Sequence, residues 1–247
     1  MKKIIVLDTE TCGGFASPLV YDFGYVIANE NGDIIKSRSY VIKEVYDNKA
    51  LFETAYYKEK RPLYEERLKS GYSKKVSFAW AMWQLERDMK KYGIDKFAYN
   101  SRFDNNAIRS TMNYFNKLNH NPIENGIVDI MDYIDKITET AEYQEFCEKY
   151  GFMTKHRKPR PQKKAETLFR YLTNDPSYTE EHTALEDSKI ELFILMTALA
   201  LAEEVAGRRT GSIILIHPDP LSAPAADTPG SVVKKNFLIF LLKSIAK

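Results

Sequence analysis

Two apolar stretches, Leu19–Ala28 and Ile34–Ile42, are parted by Asn29-Glu30-Asn31-Gly32-Asp33, and this junction constrains the fold more than any other part of the chain. Asn-Gly accepts positive φ at both positions, so the stretches read as the two strands of a hairpin. Upstream, Lys3 to Leu7 is a short run rich in β-branched residues, ending at Asp8 and followed by a turn at Cys12-Gly13-Gly14. That pattern predicts a buried strand, and the first three elements then form one antiparallel sheet. Beyond them the pattern turns helical. Residues 49–70 are a Tyr-rich, mixed-charge stretch interrupted at Pro62 and ending near Gly71. Between Ser77 and Tyr92, Phe78, Met82, Leu85 and Met89 recur at helical spacing, with Gly93 as the stop. Phe97 to Tyr99 is the fourth strand, a helix from about Asp104 to Leu118 follows, and Ile127 to Ile130 is the fifth strand. The rest, to Ala206, reads as helices broken at Gly151 and at Asn174-Asp175-Pro176. Strands followed by alternating strands and helices predict an α/β domain built on a mixed sheet.

Length permits one sizeable core, and 44% hydrophobic with 28% charged residues is ordinary for a soluble globular chain. Four of the ten prolines fall between Pro218 and Pro229, so the domain is expected to span 1–206. Residues 207–247 would then be a Pro-rich linker and a short apolar-basic tail, Lys234 to Lys247, outside the core fold. The overall charge of +2 belongs to that tail: residues 207–247 carry a net +4, and the preceding 206 residues a net −2. Any surface attractive to a polyanion must therefore be local. Two cysteines, Cys12 and Cys147, imply no disulfide framework and a reducing compartment. The apolar run before Asp8 is too short for a signal peptide, and Phe237 to Leu242 is only six apolar residues long. A cytoplasmic location without membrane attachment is the expectation.

Three groups of residues carry chemistry. In Asp8-Thr9-Glu10 the two carboxylates are two residues apart, hence on one face of a strand, where they repel unless a cation lies between them. Hard carboxylate oxygens suit Mg²⁺ or Mn²⁺. By itself Asp-x-Glu is also a common accident in a chain with 34 acidic residues. Asp104, after Tyr99-Asn100-Ser101-Arg102-Phe103, follows a strand and opens a helix, and in isolation reads as an N-cap. His182 precedes Asp187 by five residues at the head of the most apolar helix. Five residues is about 140° beyond a full helical turn, so His182 is expected on the incoming loop, leaning over Asp187. A lone histidine there reads as a cap or surface residue, and Asp187 as a first-turn acid favoured by the helix dipole. Together, four carboxylates from separate elements can hold two cations roughly 3.5–4 Å apart, and a histidine with a pKa near about 6.5 can take a proton from water.

In this order the residues resemble the three exonuclease motifs of the DEDD superfamily: Leu7-Asp8-Thr9-Glu10-Thr11, Asn100-Ser101-Arg102-Phe103-Asp104, and His182 with Asp187. The histidine matches the His-containing subgroup, which includes the proofreading subunit of bacterial DNA polymerase III, RNase T and oligoribonuclease. The resemblance covers about residues 1–205. It implies a ribonuclease H-like fold with a five-stranded mixed sheet flanked by helices, two divalent cations (Mg²⁺ or Mn²⁺), and release of nucleoside 5′-monophosphates from a nucleic-acid 3′ end. It assigns Asp8, Glu10, Asp104 and Asp187 to metals and His182 to general base, with Thr11, Phe103 and Asn100 near the terminal nucleotide. DNA is the expected substrate, as single strands or frayed ends.

An RNA-trimming exoribonuclease uses the same motifs and stays open, as does endonuclease action. An inactive nuclease-fold binding module is disfavoured by the presence of all five core residues. A transposase or resolvase of similar fold would need different acid spacing. Cys12 stands where the family often has threonine. The stretch from Ala50 to Gly71 is longer than a minimal exonuclease needs. Its tyrosines (Tyr56, Tyr57, Tyr64, Tyr72) among basic residues suit either a strand-gripping flap or, the reading favoured by its interleaved acids, amphipathic helices with a solvated charged face. Lys155-His156-Arg157-Lys158-Pro159-Arg160-Pro161-Gln162-Lys163-Lys164 has six Lys/Arg and no acid; its prolines indicate a loop, which suits a solvated surface as well as nucleic-acid contact, and it is the best candidate for phosphate contact. No protein partner is legible.

Overall fold

The computed structural model describes residues 3–14, 16–93, 95–115, 122–123 and 126–205. The expected linker and tail, 207–247, lie outside the described residues, as does the expected end of the fifth helix near Leu118. Six strands form one sheet: β1 Ile4–Cys12, β2 Leu19–Ala28, β3 Ile34–Ile42, β4 Lys74–Val76, β5 Asp95–Ala98 and β6 Val128–Asp129, in the order β4-β3-β2-β1-β5-β6. The helices are α1 Lys43–Tyr46, α2 Lys49–Phe52, α3 Arg61–Ser70, α4 Phe78–Tyr92, α5 Ser101–Phe115, α6 Asp135–Thr138, α7 Ala141–Tyr150, α8 Ala165–Thr173 and α9 Ala184–Val205. The chain divides into two compact units, one of residues up to Ile130 with Glu181–Lys189, the other Met131–Glu180 with the described residues from Ile190 on.

In the first unit β2 and β3 form the hairpin expected at the Asn-Gly junction and β1 pairs antiparallel with β2, while β5 joins β1, β6 joins β5 and β4 joins β3 in parallel. The result is the mixed α/β sheet expected, with six strands in place of five. The additional one, Lys74-Lys75-Val76, is a three-residue edge strand with exposed lysines. It has no apolar alternation for a sequence pattern to reveal, and its charges suit an edge that must not pair further. A second correction concerns β1, which runs through Asp8 to Cys12 instead of ending at Leu7, because Asp8, Thr9 and Glu10 stay paired with Gly24, Phe23 and Asp22. The register shifts between Glu10 and Thr11.

Ile5, Val6 and Leu7 are buried with no alternation, as in a strand covered on both faces. The apolar stripe of α4 (Phe78, Ala81, Met82, Leu85) and Ala107 and Ile108 of α5 complete this core. Ser77 caps α4 by accepting from the Trp80 N–H at 3.2 Å, and Gly93 closes it at φ 60. The β2–β3 pair meets the opening turn of α9 at Gly24. A Cβ there would lie 2.2 Å from the Leu185 nitrogen and 2.3 Å from the Ala184 carbonyl carbon, both backbone atoms. Only glycine lets this helix settle one strand away from Asp8.

The second unit is helical. Thr140 and Gly151 bound α7 and Asn174, at φ 52, ends α8, in line with the breaks predicted at Gly151 and Asn174. Its core is aromatic, with Tyr171 edge-on to Tyr143 at 5.0 Å and to Phe146 at 5.4 Å. No helix among the described residues is long and apolar enough to cross a membrane.

Candidate active site

Glu10, His182 and Asp187 come together, each offering a ligand atom within 4.8 Å of the others. Asp8 and Glu10 share a face of β1, both half-buried, while Thr9 between them is buried on the other side. His182 sits in the loop just before α9, with Nδ1 4.0 Å from Asp187 Oδ2, as the five-residue spacing predicts. Its backbone φ is 49, a left-handed conformation that a histidine holds only when its neighbours are fixed.

Those neighbours are fixed by residues the motifs do not include. Lys60 donates to the Glu181 carbonyl. Arg67, only 9% exposed, donates to Thr183 Oγ1 at 2.8 Å and pairs with the Glu181 carboxylate. The Tyr57 ring lies flat on the imidazole, centroids 4.4 Å apart and planes 12° from parallel. Asp22, buried in β2, accepts from the Ala184 N–H at 2.9 Å and from Tyr64 Oη at 3.0 Å, so a carboxylate from a distant strand caps α9. The stretch from Ala50 to Gly71 does present the expected solvated charged face, with Glu53, Lys58, Glu59, Glu65, Glu66 and Lys69 exposed, but its other residues serve the site. Tyr64 and Arg67 are buried, Tyr57 stacks on the histidine and Lys60 holds the residue before it, while Tyr56 is exposed, at 84%.

Asp104 is buried in the first turn of α5, where its Oδ1 accepts from Thr9 Oγ1 at 2.8 Å. It is not the N-cap that its position suggested. The helix begins three residues earlier, and Asp129 caps it, its two carboxylate oxygens accepting from the Asn100 and Ser101 N–H groups at 3.0 and 3.1 Å. Asn100 is exposed with φ 56, a turn geometry that asparagine tolerates. Phe103 and Thr11 are half-buried. Cys12 is in the core, its thiol pushed up to about 11 by burial, which makes it an inert packing residue.

Electrostatically, burial outweighs the pull of Lys60 on Glu10 and of Arg67 on Asp22. Burial first, then the carboxylates of Asp187 and Asp22, push the Glu10 carboxyl well above the usual range, against a lowering pull from Lys60. Burial lifts Asp104 to about 7 despite the Thr9 hydroxyl, and Asp22 to about 6 despite its hydrogen bonds. A cluster of oxygen donors with one imidazole, mutually repelling when ionised, fits a divalent cation of the Mg²⁺ or Mn²⁺ kind.

One consequence is measurable on the metal-free protein. A carboxyl whose folded-state pKa is raised binds protons more tightly folded than unfolded, so stability falls as pH rises from the unfolded value of about 4 to the folded value. For Asp22 and Asp104 that window ends at about 6 and about 7, with Glu10 acting in the same direction. Melting in EDTA is expected to drop between pH 5 and 7.5, and Mn²⁺ to restore it, more at pH 7.5 than at pH 5. A melting temperature indifferent to both pH and Mn²⁺ would rule out a cation-seeking cluster.

No family model matches the sequence, and no curated protein does. Among solved structures the chain is similar to one titled Exonuclease I (apo), at 16% identity and a TM-score of 0.49, over 83% of this chain and 45% of that one. The chain therefore spans less than half the length of that solved chain.

Proposed function

We propose that this chain is a divalent-metal-dependent 3′→5′ exonuclease that releases nucleoside 5′-monophosphates from single-stranded or frayed DNA ends. The observation that carries the reading is the convergence of Glu10, His182 and Asp187 within 4.8 Å, beside a strand face that also bears Asp8. The 3′ polarity, the mononucleotide product and the assignment of Asp104 to the second cation rest on the motif resemblance.

In this reading Asp8, Glu10, Asp104 and Asp187 hold two cations, which supply polarisation of the attacking water and charge compensation at the leaving oxygen. His182 accepts the proton of the attacking water. Tyr57 fixes the plane of its ring, and Lys60 and Arg67 fix the loop that carries it. Thr11, Phe103 and Asn100 border the terminal nucleotide. A second reading is favoured by the same cluster: the imidazole is near enough to both carboxylates to be a ligand of a single cation instead of a base. RNA in place of DNA is the other alternative, decided by contact with the 2′-hydroxyl.

Matched DNA and RNA, single- and double-stranded and labelled at the 5′ end, test the function. With Mg²⁺ or Mn²⁺ a ladder shortening from the 3′ end is expected, with mononucleotide as product and complete arrest by EDTA. Internal cuts alone, or digestion that survives EDTA, would sink the proposal.

A further inference from the structure

The acid-free basic run lies in the second unit and is a closed hairpin. Met153 and Pro161 form an antiparallel bridge. Around it the Thr154 N–H donates to the Arg160 carbonyl at 2.8 Å, the Arg160 N–H to Thr154 Oγ1 at 3.0 Å, and the Gln162 N–H to the Phe152 carbonyl at 2.9 Å. The base of the hairpin is anchored. Phe152 stacks at a tilt on Phe146, the Arg170 guanidinium covers its ring at 4.8 Å, and Tyr143 donates to the Gln162 carbonyl. Lys155 to Arg160 are all exposed. Lys163 is committed to Asp135 at 2.7 Å, but no carboxylate among the described residues pairs with Lys155, Arg157, Lys158 or Arg160.

Four cations held together without counter-charges among the described residues repel one another. A hairpin presenting them, with Pro159 and Pro161 restricting its returning side, lowers the ordering cost of binding a ligand of opposite charge. Two arginines favour forked hydrogen bonding to phosphate over contact with a simple point charge. Because residues 1–206 are net negative, a polyanion would be repelled by the body of the protein without such a patch.

We infer that the Thr154–Arg160 hairpin is a phosphate-backbone contact for a single nucleic-acid strand. The identity of that strand as substrate rests on the exonuclease reading; the contact itself does not. Each phosphate neutralised on a single strand contributes about 0.7 to the slope of log affinity against log salt.

The test compares the full chain with a variant carrying Lys155→Gln, Arg157→Gln, Lys158→Gln and Arg160→Gln, and with each single change. Binding of a fluorescent 20-nucleotide strand is followed by anisotropy over a salt series, in EDTA so that nothing is cut. The quadruple variant is expected to lose about 2–3 from the salt slope and to bind roughly tenfold or more weakly at moderate salt. Each single variant should lose a fraction of that, and unchanged melting would show that the exposed substitutions leave the fold intact. In metal, KM for a long strand should rise while kcat holds. An unchanged salt slope overturns the inference, as does tighter binding of polyglutamate than of the oligonucleotide. If the wild type never cleaves yet the slope difference persists, the exonuclease reading fails and the hairpin contact stands. Cleavage with an unchanged slope is the reverse.

Discussion

Glu10→Gln is expected to abolish hydrolysis and, at the same time, to stabilise the metal-free protein. The substitution keeps the side chain's volume and removes one of the oxygens that would hold a cation in the proposed site. Loss of several kcal/mol of transition-state stabilisation corresponds to a rate about 10³-fold lower or worse. The stability gain follows from the same charge. Burial and the Asp187 and Asp22 carboxylates make ionised Glu10 unfavourable, so a neutral amide removes that repulsion above the usual carboxylate pKa. For a domain of this size each kcal/mol relieved raises the melting temperature by about 2–4 °C. Rate and melting in EDTA at pH 7.5 check both halves. An active Glu10→Gln enzyme refutes the site, and an inactive one that melts lower than wild type refutes the electrostatic account.

His182→Ala is the second large effect, and it separates a base from a ligand. A general base contributes typically 10²–10⁴ in rate, so kcat should fall by about that factor with KM little changed. If His182 is the base, the melting shift produced by Mn²⁺ survives the substitution. If the imidazole instead completes a cation site with Glu10 and Asp187, the shift shrinks along with the rate. Tyr57→Leu should lower kcat more than Tyr57→Phe, because the stacked ring face meets the imidazole.

What the sequence made legible was local. The Asn31-Gly32 junction marked the β2–β3 hairpin because turn chemistry is written in adjacent residues, although only Gly32, at φ 85, takes the positive φ that both residues tolerate. The spacing of His182 and Asp187 put the histidine on the incoming loop because helical geometry alone decides it. The opposite holds for Asp22, Lys60, Tyr64 and Arg67, whose partners lie 42 to 162 residues away. Asp22 did leave a trace, as the one charged residue of the wholly buried strand Leu19–Ala28. Nothing near Arg67 distinguishes it from solvated arginines on other helices. The reading of Asp104 as a cap failed because a closer carboxylate, Asp129, arrives from β6, and no local pattern announces that strand pairing. The three-residue strand β4 was missed for want of any apolar period.

The notch at Gly24 bears on synthesis as well as on packing. Asp22 waits for a backbone donor 162 residues later in the chain, and the Gly24 carbonyl for a hydroxyl 164 residues later. At about 5–20 residues per second a ribosome takes roughly 8–32 s to cover that interval. Throughout it, the growing chain carries Asp8 and Glu10 but neither His182 nor Asp187. On the exonuclease proposal, a chain stalled before the ninth helix would be chemically silent towards the nucleic acids around it, and cutting ability would arrive only when that last partner docks.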